Sequence, residues 1–318
     1  MKFISAFLAV LGVVFITLIL VPQKPLPATE LHSSSQCLEC HADVAAEWKS
    51  SHHAFAYENP EVRKLSNDFS NQECIACHAP QPVLKFAAGE RVLARQSQRA
   101  LGVDCLACHA VTNGGVATSK RQPASDAPCR PQYVDRLSSV DLCASCHNQH
   151  ETVEQWRGAP DNLKGNNCLD CHMPSEFRQG GRRGRNHGFP ASHDLTALQS
   201  AVSLDFSWNT DGPIATLVND GCGHNFPTDE RSRAADLKVQ YEYNGIFSEW
   251  ELLYRYRDPY RDETDLTNTQ LPAGESMSFN LDATATSISI KLLYKTNPFM
   301  PDFEAVVIHS IADRVKDE

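Results

Sequence analysis

The chain has 318 residues, among them 12 cysteines and 13 histidines, and a formal net charge of −10. That length suits two ordinary domains. The acidic balance argues against a nucleic-acid partner, which requires a basic footprint.

After Lys2 comes an uncharged apolar run from Phe3 to Val21. It is long enough to cross a bilayer core and longer than the apolar stretch of a cleaved signal. No A-x-A cleavage site comes after it; Leu26-Pro27-Ala28 is a poor substitute. Residues 1–22 are therefore expected to be an N-terminal membrane anchor, with a cleaved signal as the alternative. The rest of the chain is expected to be exported. Residues 23–36, within PQKPLPATELHSSSQ, read as an extended linker.

A C-x-x-C-H string then occurs five times: Cys37, Cys40 and His41; Cys74, Cys77 and His78; Cys105, Cys108 and His109; Cys143, Cys146 and His147; Cys168, Cys171 and His172. Only Cys129 and Cys222 lie outside these strings. Two thiols one helical turn apart can reach both vinyl positions on one haem edge, and the next histidine turns its imidazole to the iron. Paired C-x-x-C units can also build zinc sites. Histidine after every second cysteine points instead to five covalently bound haem c groups, each with its iron. Covalent attachment of this kind belongs to exported proteins.

Residues 37–194 carry all five strings and little apolar periodicity, too little for an ordinary core. Five porphyrins would supply the missing apolar mass. Short helices after each motif are expected, joined by irregular loops such as Thr112–Pro128.

The ligand on the other side of each iron decides whether that iron only carries electrons. Methionine is a poor candidate, because only Met1, Met173, Met277 and Met300 exist and Met173 adjoins its own motif histidine. Eight histidines lie outside the motifs, enough for two histidines on every iron. His53 lies on a predicted helix through WKSSHHAFA, and His150 follows His147 by three residues. His187 and His193 flank GFPAS, and His224 sits in the glycine-flanked loop GCGHNFPTD. These five are the expected distal ligands. His32 in the linker, His52 beside His53 and His309 within a strand pattern are left out.

From about residue 195 the pattern changes to strict alternation broken by turn residues. Strands are predicted at Ala201–Trp208, Pro213–Asp220, Ala235–Tyr243, Glu249–Arg257, Ser276–Asp282, Ser287–Lys295 and Ala305–Ile311. Residues 195–318 are thus expected to form an all-β sandwich. The whole chain is α+β, a mainly irregular and helical multihaem domain over residues 37–194 followed by that sandwich.

Three smaller features remain. Cys129 and Cys222 could form a disulfide between the two halves. The basic run RQGGRRGR (Arg178–Arg185) reads as a solvated loop, or as arginines that pair with haem propionates or dock an acidic partner. Trp48 and Trp156, in the similar strings AEWKSS and EQWRGA, are expected to pack against porphyrin.

Taken together, ECHADVAAEWKSSHHAFA (Glu39–Ala56), GVDCLACHA (Gly102–Ala110), CASCHNQ (Cys143–Gln149), CLDCHMP (Cys168–Pro174), HGFPASHD (His187–Asp194) and GHNFPTD (Gly223–Asp229) resemble the multihaem cytochromes c. The group in question includes cytochrome c-554 and the pentahaem nitrite reductases, and LPAGES (Leu271–Ser276) is similar to a strand turn of the C-terminal β-domain found in many such exported cytochromes. The resemblance implies closely stacked haems and distal ligation by His53, His187, His193 and His224; His150 stands on its spacing alone. It departs from the nitrite reductases at their substrate haem, which uses C-x-x-C-K, because every motif here ends in histidine.

The expected function is single-electron transfer along a chain of bis-histidine haems between exported redox proteins, with no catalytic residue nominated. A reductase of nitrite, hydroxylamine or a sulfur oxyanion, with one open iron, is the alternative. A subunit of an extracellular cytochrome filament and a quinol oxidant at the membrane face are further alternatives. The protein is expected at the periplasmic face, held by its N-terminal segment, with an extracellular position as the other option.

Overall fold

The computed structural model of the chain describes residues 30–124, 126–178, 181–228 and 231–315. The expected anchor over residues 1–22 lies outside the described residues. Among those described, no helix is long and apolar enough to cross a membrane.

Helices in the first half are short and built around the motifs. Four of the five motifs lie on one helical turn ending at the histidine: Glu73–His78, Cys105–His109, Val140–His147 and Cys168–His172. The turn therefore falls on the motif rather than after it, because thiols at i and i+3 and an imidazole at i+4 share one face only when the motif itself is helical. The first motif differs. Its Cys37 ends a 3-10 turn, Ser34–Cys37, and His41 precedes the helix Ala42–Lys49.

Capping explains several of these starts. Asp104 accepts from the Ala107 amide, and Asn167 and Asp170 form a reciprocal capping box on Cys168–His172. The helix predicted through WKSSHHAFA is broken at Ser50–Ser51. Ser51 then caps a separate turn, His52–Phe55, which carries His53.

Two pairs of short strands stitch this half together: β1 (Val116–Thr118) beside β2 (Pro131–Tyr133), and β3 (Ser175–Arg178) beside β4 (Arg182–Arg185). Neither pair was visible in the sequence pattern, and the basic run RQGGRRGR supplies Arg178 and Arg182–Arg185 to the second. The buried apolar cluster of this half is small, comprising Phe69, Ile75 and Ala79. Such a cluster alone is meagre support for more than a hundred residues.

The helix Leu195–Ala201 leads into the second half. There β5 (Ser203–Asn209), β6 (Gly212–Val218), β7 (Ala234–Tyr243), β8 (Ile246–Phe247), β9 (Glu251–Tyr256), β10 (Ser276–Asn280), β11 (Ser287–Lys295) and β12 (Val306–Val315) come in order. All seven predicted strands are present, and the short β8 is the addition. They make two antiparallel sheets, one ordered β10-β6-β5 and one ordered β12-β11-β7 with β8 and β9 both on β7. Inward residues of both sheets, including Ala215 and Leu217 of the first and Leu237, Val239, Ile288 and Ile290 of the second, share one buried cluster.

One charged network lies inside this half. Asp236, only 2 % exposed, accepts from Arg255 at 2.6 and 2.7 Å and from Lys295 at 2.9 Å. Lys295 also reaches Asp302 at 2.7 Å. Lys295→Met is expected to cost about 3 kcal/mol, since removing one partner of a buried pair leaves the other undercompensated while Arg255 remains. Chemical denaturation of the holoprotein, followed by tyrosine and tryptophan fluorescence, checks this.

Candidate haem sites

Three motif histidines have their imidazole fixed from behind. Nδ1–H donates to a backbone carbonyl in each: His78 to Ala56 at 2.7 Å, His109 to Ala117 at 2.9 Å and His172 to Pro190 at 2.8 Å. A bond from Nδ1 sets the tautomer and leaves Nε2 as the ligating atom. Burial holds the His109 imidazole below the ordinary histidine range, opposed by its bond to Ala117, so the ring stays in the neutral form that binds iron.

Three non-motif imidazoles stand opposite motif imidazoles. His187 faces His109 with ring centres 6.3 Å apart, His224 faces His172 at 6.3 Å, and His53 faces His147 at 6.1 Å. Two imidazoles on opposite sides of one iron, each bound at about 2.0–2.1 Å, put their ring centres about 6 Å apart. Each gap therefore has the width of one iron and its two bonds. His187 and His224 are also fixed through Nδ1, to the carbonyls of Arg185 at 2.8 Å and Asn225 at 3.0 Å. Burial, followed by the proximity of His109, lowers the pKa of His187. The donor set thus fits axially ligated haem iron. A tetrahedral zinc would instead require four ligands converging at bonding distance, and among the described residues no group of three or more metal-binding side chains does so.

The facing histidines come from distant parts of the chain, held by specific contacts. The His53 carbonyl accepts from the Val103 amide at 2.8 Å. Gly102, at φ +59°, lies so close to the His53 and Ala54 carbonyls that a Cβ would collide with both. Phe189 stands edge-on to both His53 and His187, at 4.3 and 6.0 Å. The loop carrying His224 joins β6 to β7 and docks on the helix Thr152–Gly158. Gln155 accepts from the Asn225 amide at 3.2 Å, and Gly223 packs on the Trp156 ring.

His187 is held by its main chain as well. Its amide donates to Glu47 Oε2 at 2.9 Å, and Arg178 grips the same carboxylate with two bonds of 2.8 and 2.6 Å. Burial pushes the Glu47 carboxyl upward, but the Arg178 guanidinium and the His187 amide outweigh it and hold it below the usual carboxylate range. Sequence reading singled out neither Glu47 nor this use of Arg178.

The remaining two expected ligands sit differently. His193 stacks on His52 with ring centres 3.6 Å apart and planes 15° apart. Burial, the neighbouring His52 and Arg233 lower His193 to about 4. His150 ends a 3-10 turn, Asn148–His150, directly after its own motif. Neither joins the three facing pairs. Of the histidines left out, His309 donates from Nε2 to the Val202 carbonyl at 2.7 Å, and His32 lies exposed beside Glu30.

The motif thiols meet across motifs. Cys37 is within hydrogen-bonding reach of Cys105, Cys77 of Cys146, and Cys143 of Cys168. Cys108 of the third motif lies near both cysteines of the fourth. By these proximities the fourth motif is the junction, with thiols of the second, third and fifth motifs beside it and the first motif beside the third. Cys129 and Cys222 are free rather than bonded. Cys129 lies near Cys37 and Cys222 near Cys171, so each belongs to a different motif's surroundings and no bridge joins the halves.

The two tryptophans play matching parts. Trp48 Nε1 donates to the Val103 carbonyl at 2.9 Å and Trp156 Nε1 to the Asn166 carbonyl at 3.1 Å. Both acceptors lie two residues before the first cysteine of a later motif, so each indole pins the approach to a motif turn.

Comparison with known proteins agrees with this chemistry. Residues 36–110 match the family model described as cytochrome c554 and c-prime. No curated protein matches the chain. Among solved structures, a penta-heme cytochrome c552 from Thermochromatium tepidum is similar at a TM-score of 0.67 and 17% sequence identity, covering 89% of this chain and 99% of that one. At that identity the likeness is one of fold.

Proposed function

We propose that this chain, a multihaem c-type cytochrome of the cytochrome c554-related group, holds five haems ligated by two histidines each and carries single electrons between exported redox proteins. The observation that carries this reading is the set of three imidazole pairs, each one iron's width apart. Covalently bound haem c supplies reversible one-electron chemistry at iron whose potential the ligands and burial set.

The chain's own residues do the rest. Ten motif cysteines attach the porphyrins, and the motif histidines bind from one side. His187, His53 and His224 complete the third, fourth and fifth sites. His150 and His193 are the histidines we assign to the first and second. The thiol contacts support an order in which motifs one, three, four and five follow one another and motif two branches from motif four. We place the protein at the periplasmic face, held by the apolar segment Phe3–Val21, with soluble redox proteins as partners.

Two measurements on purified holoprotein test this. Intact mass should equal the polypeptide plus five haems, and the fully reduced protein should be reoxidised by nitrite or hydroxylamine no faster than by slow outer-sphere exchange. A lower haem count, or rapid substrate-dependent turnover, would overturn the proposal.

One observation favours a second reading. His193 turns onto His52 beside Arg233, whose charge acts on both rings. Were His193 to stay there, one iron of the first two motifs would be open to a small anion, as in a reductase.

A further inference from the structure

Glu47 and Arg178 are joined where a helix, a hairpin and an axial-ligand loop meet. Glu47 lies on the helix that follows the first motif, and Arg178 ends β3 after the fifth. Their side chains are only 16 % and 9 % exposed. The pair does not merely bridge two segments. Arg178 Nη2 also donates to the Arg185 carbonyl at 2.7 Å, and that carbonyl accepts from Nδ1 of His187 at 2.8 Å. Glu47 Oε2 takes the His187 amide. The cation therefore acts on the imidazole through one shared carbonyl, and the anion neutralises the cation.

An imidazole whose Nδ1–H is strongly accepted is a more basic ligand and favours ferric iron. A guanidinium on the same carbonyl draws electron density away and weakens that acceptance. A largely buried unit charge beside an axial imidazole would also act directly, because the surroundings screen it poorly. Both effects have the same sign.

We propose that Glu47 and Arg178 are positioning residues that set the reduction potential of the haem ligated by His109 and His187. The inference rests on the reading that His187 is an axial ligand. Losing the anion should raise that potential, and losing the cation should lower it.

The test is a spectroelectrochemical titration of the full holoprotein with E47Q, R178Q and E47D, each accompanied by low-temperature EPR. One of the five redox steps should move up in E47Q and down in R178Q, with all irons still low-spin, while E47D, which keeps the charge, stays near the parent. A purely structural clamp would move both charge variants the same way or turn one iron high-spin in both, and either result overturns the proposal. An absent shift, or an E47D step that moves with E47Q, does so too. If R178Q does not yield holoprotein, the comparison of E47Q with E47D decides alone. His187→Gly separates the two claims: if it leaves every iron low-spin, the axial assignment fails. If it turns one iron high-spin while the charge variants move nothing, only the tuning role fails.

Discussion

His224→Ala is expected to turn one haem from low-spin to high-spin and leave the other four unchanged. His224 and His172 are the most nearly parallel of the three facing pairs, with planes 12° apart and ring centres at 6.3 Å. The imidazole is presented by a loop whose other contacts do not depend on it. Asn219 Nδ2 donates to the His224 backbone carbonyl at 2.9 Å, and Asn225 and Thr228 both engage Gln155. The β-domain core lies in its own cluster. The substitution therefore removes a ligand without removing the loop. In the ferric variant, EPR should show a high-spin signal of about one haem per chain. Carbon monoxide should bind the reduced variant at one site, and the potential of that haem should rise because a basic ligand has been lost. A spectrum identical to the parent would show that His224 binds no iron.

The second large effect concerns the junction. Cys143→Ser with Cys146→Ser is expected to slow internal electron redistribution by orders of magnitude, whereas Cys37→Ser with Cys40→Ser should only shorten one end. Cys146 lies beside Cys77 and Cys143 beside Cys168, with Cys108 near both, so the second, third and fifth motifs are joined through the fourth. Cys37 meets one neighbouring motif, through Cys105. Stopped-flow reduction of the two four-haem proteins, after mass spectrometry confirms the haem count, distinguishes them. The junction variant should split into separately reducing groups of haems, and the end variant should keep a single connected set. Equal effects from the two would remove the fourth motif from its place.

Much of this arrangement was legible in the sequence, for reasons that are local. A thiol pair one turn apart with histidine next defines its chemistry by spacing alone. The alternation from Ala201 to Ile311 defines strands because one face must be buried, and the seven predicted runs are all strands. Pairing was not legible, because it depends on docking between distant segments. His53 lies nearest in sequence to His41, yet it faces His147; Ser50–Ser51 breaks the helix, and the Val103 amide holds the His53 carbonyl away from the first motif's helix. The stack of His193 on His52 has no counterpart in any spacing rule. Glu47 and Arg178 were hidden for the same reason. A glutamate on an amphipathic turn and an arginine in a basic run look like solvated residues until the fold buries them against one another. The strand pair Ser175–Arg178 and Arg182–Arg185 escaped because its repeated charges carry no apolar alternation.

The most direct test of the central claim is low-temperature EPR of the oxidised parent protein, with and without cyanide. Five irons with two histidines each predict low-spin ferric signals only, integrating to five per chain and unmoved by added cyanide. A high-spin component that disappears on binding cyanide would contradict that claim: at least one iron would be open, and at least one of the five assigned histidines would ligate nothing.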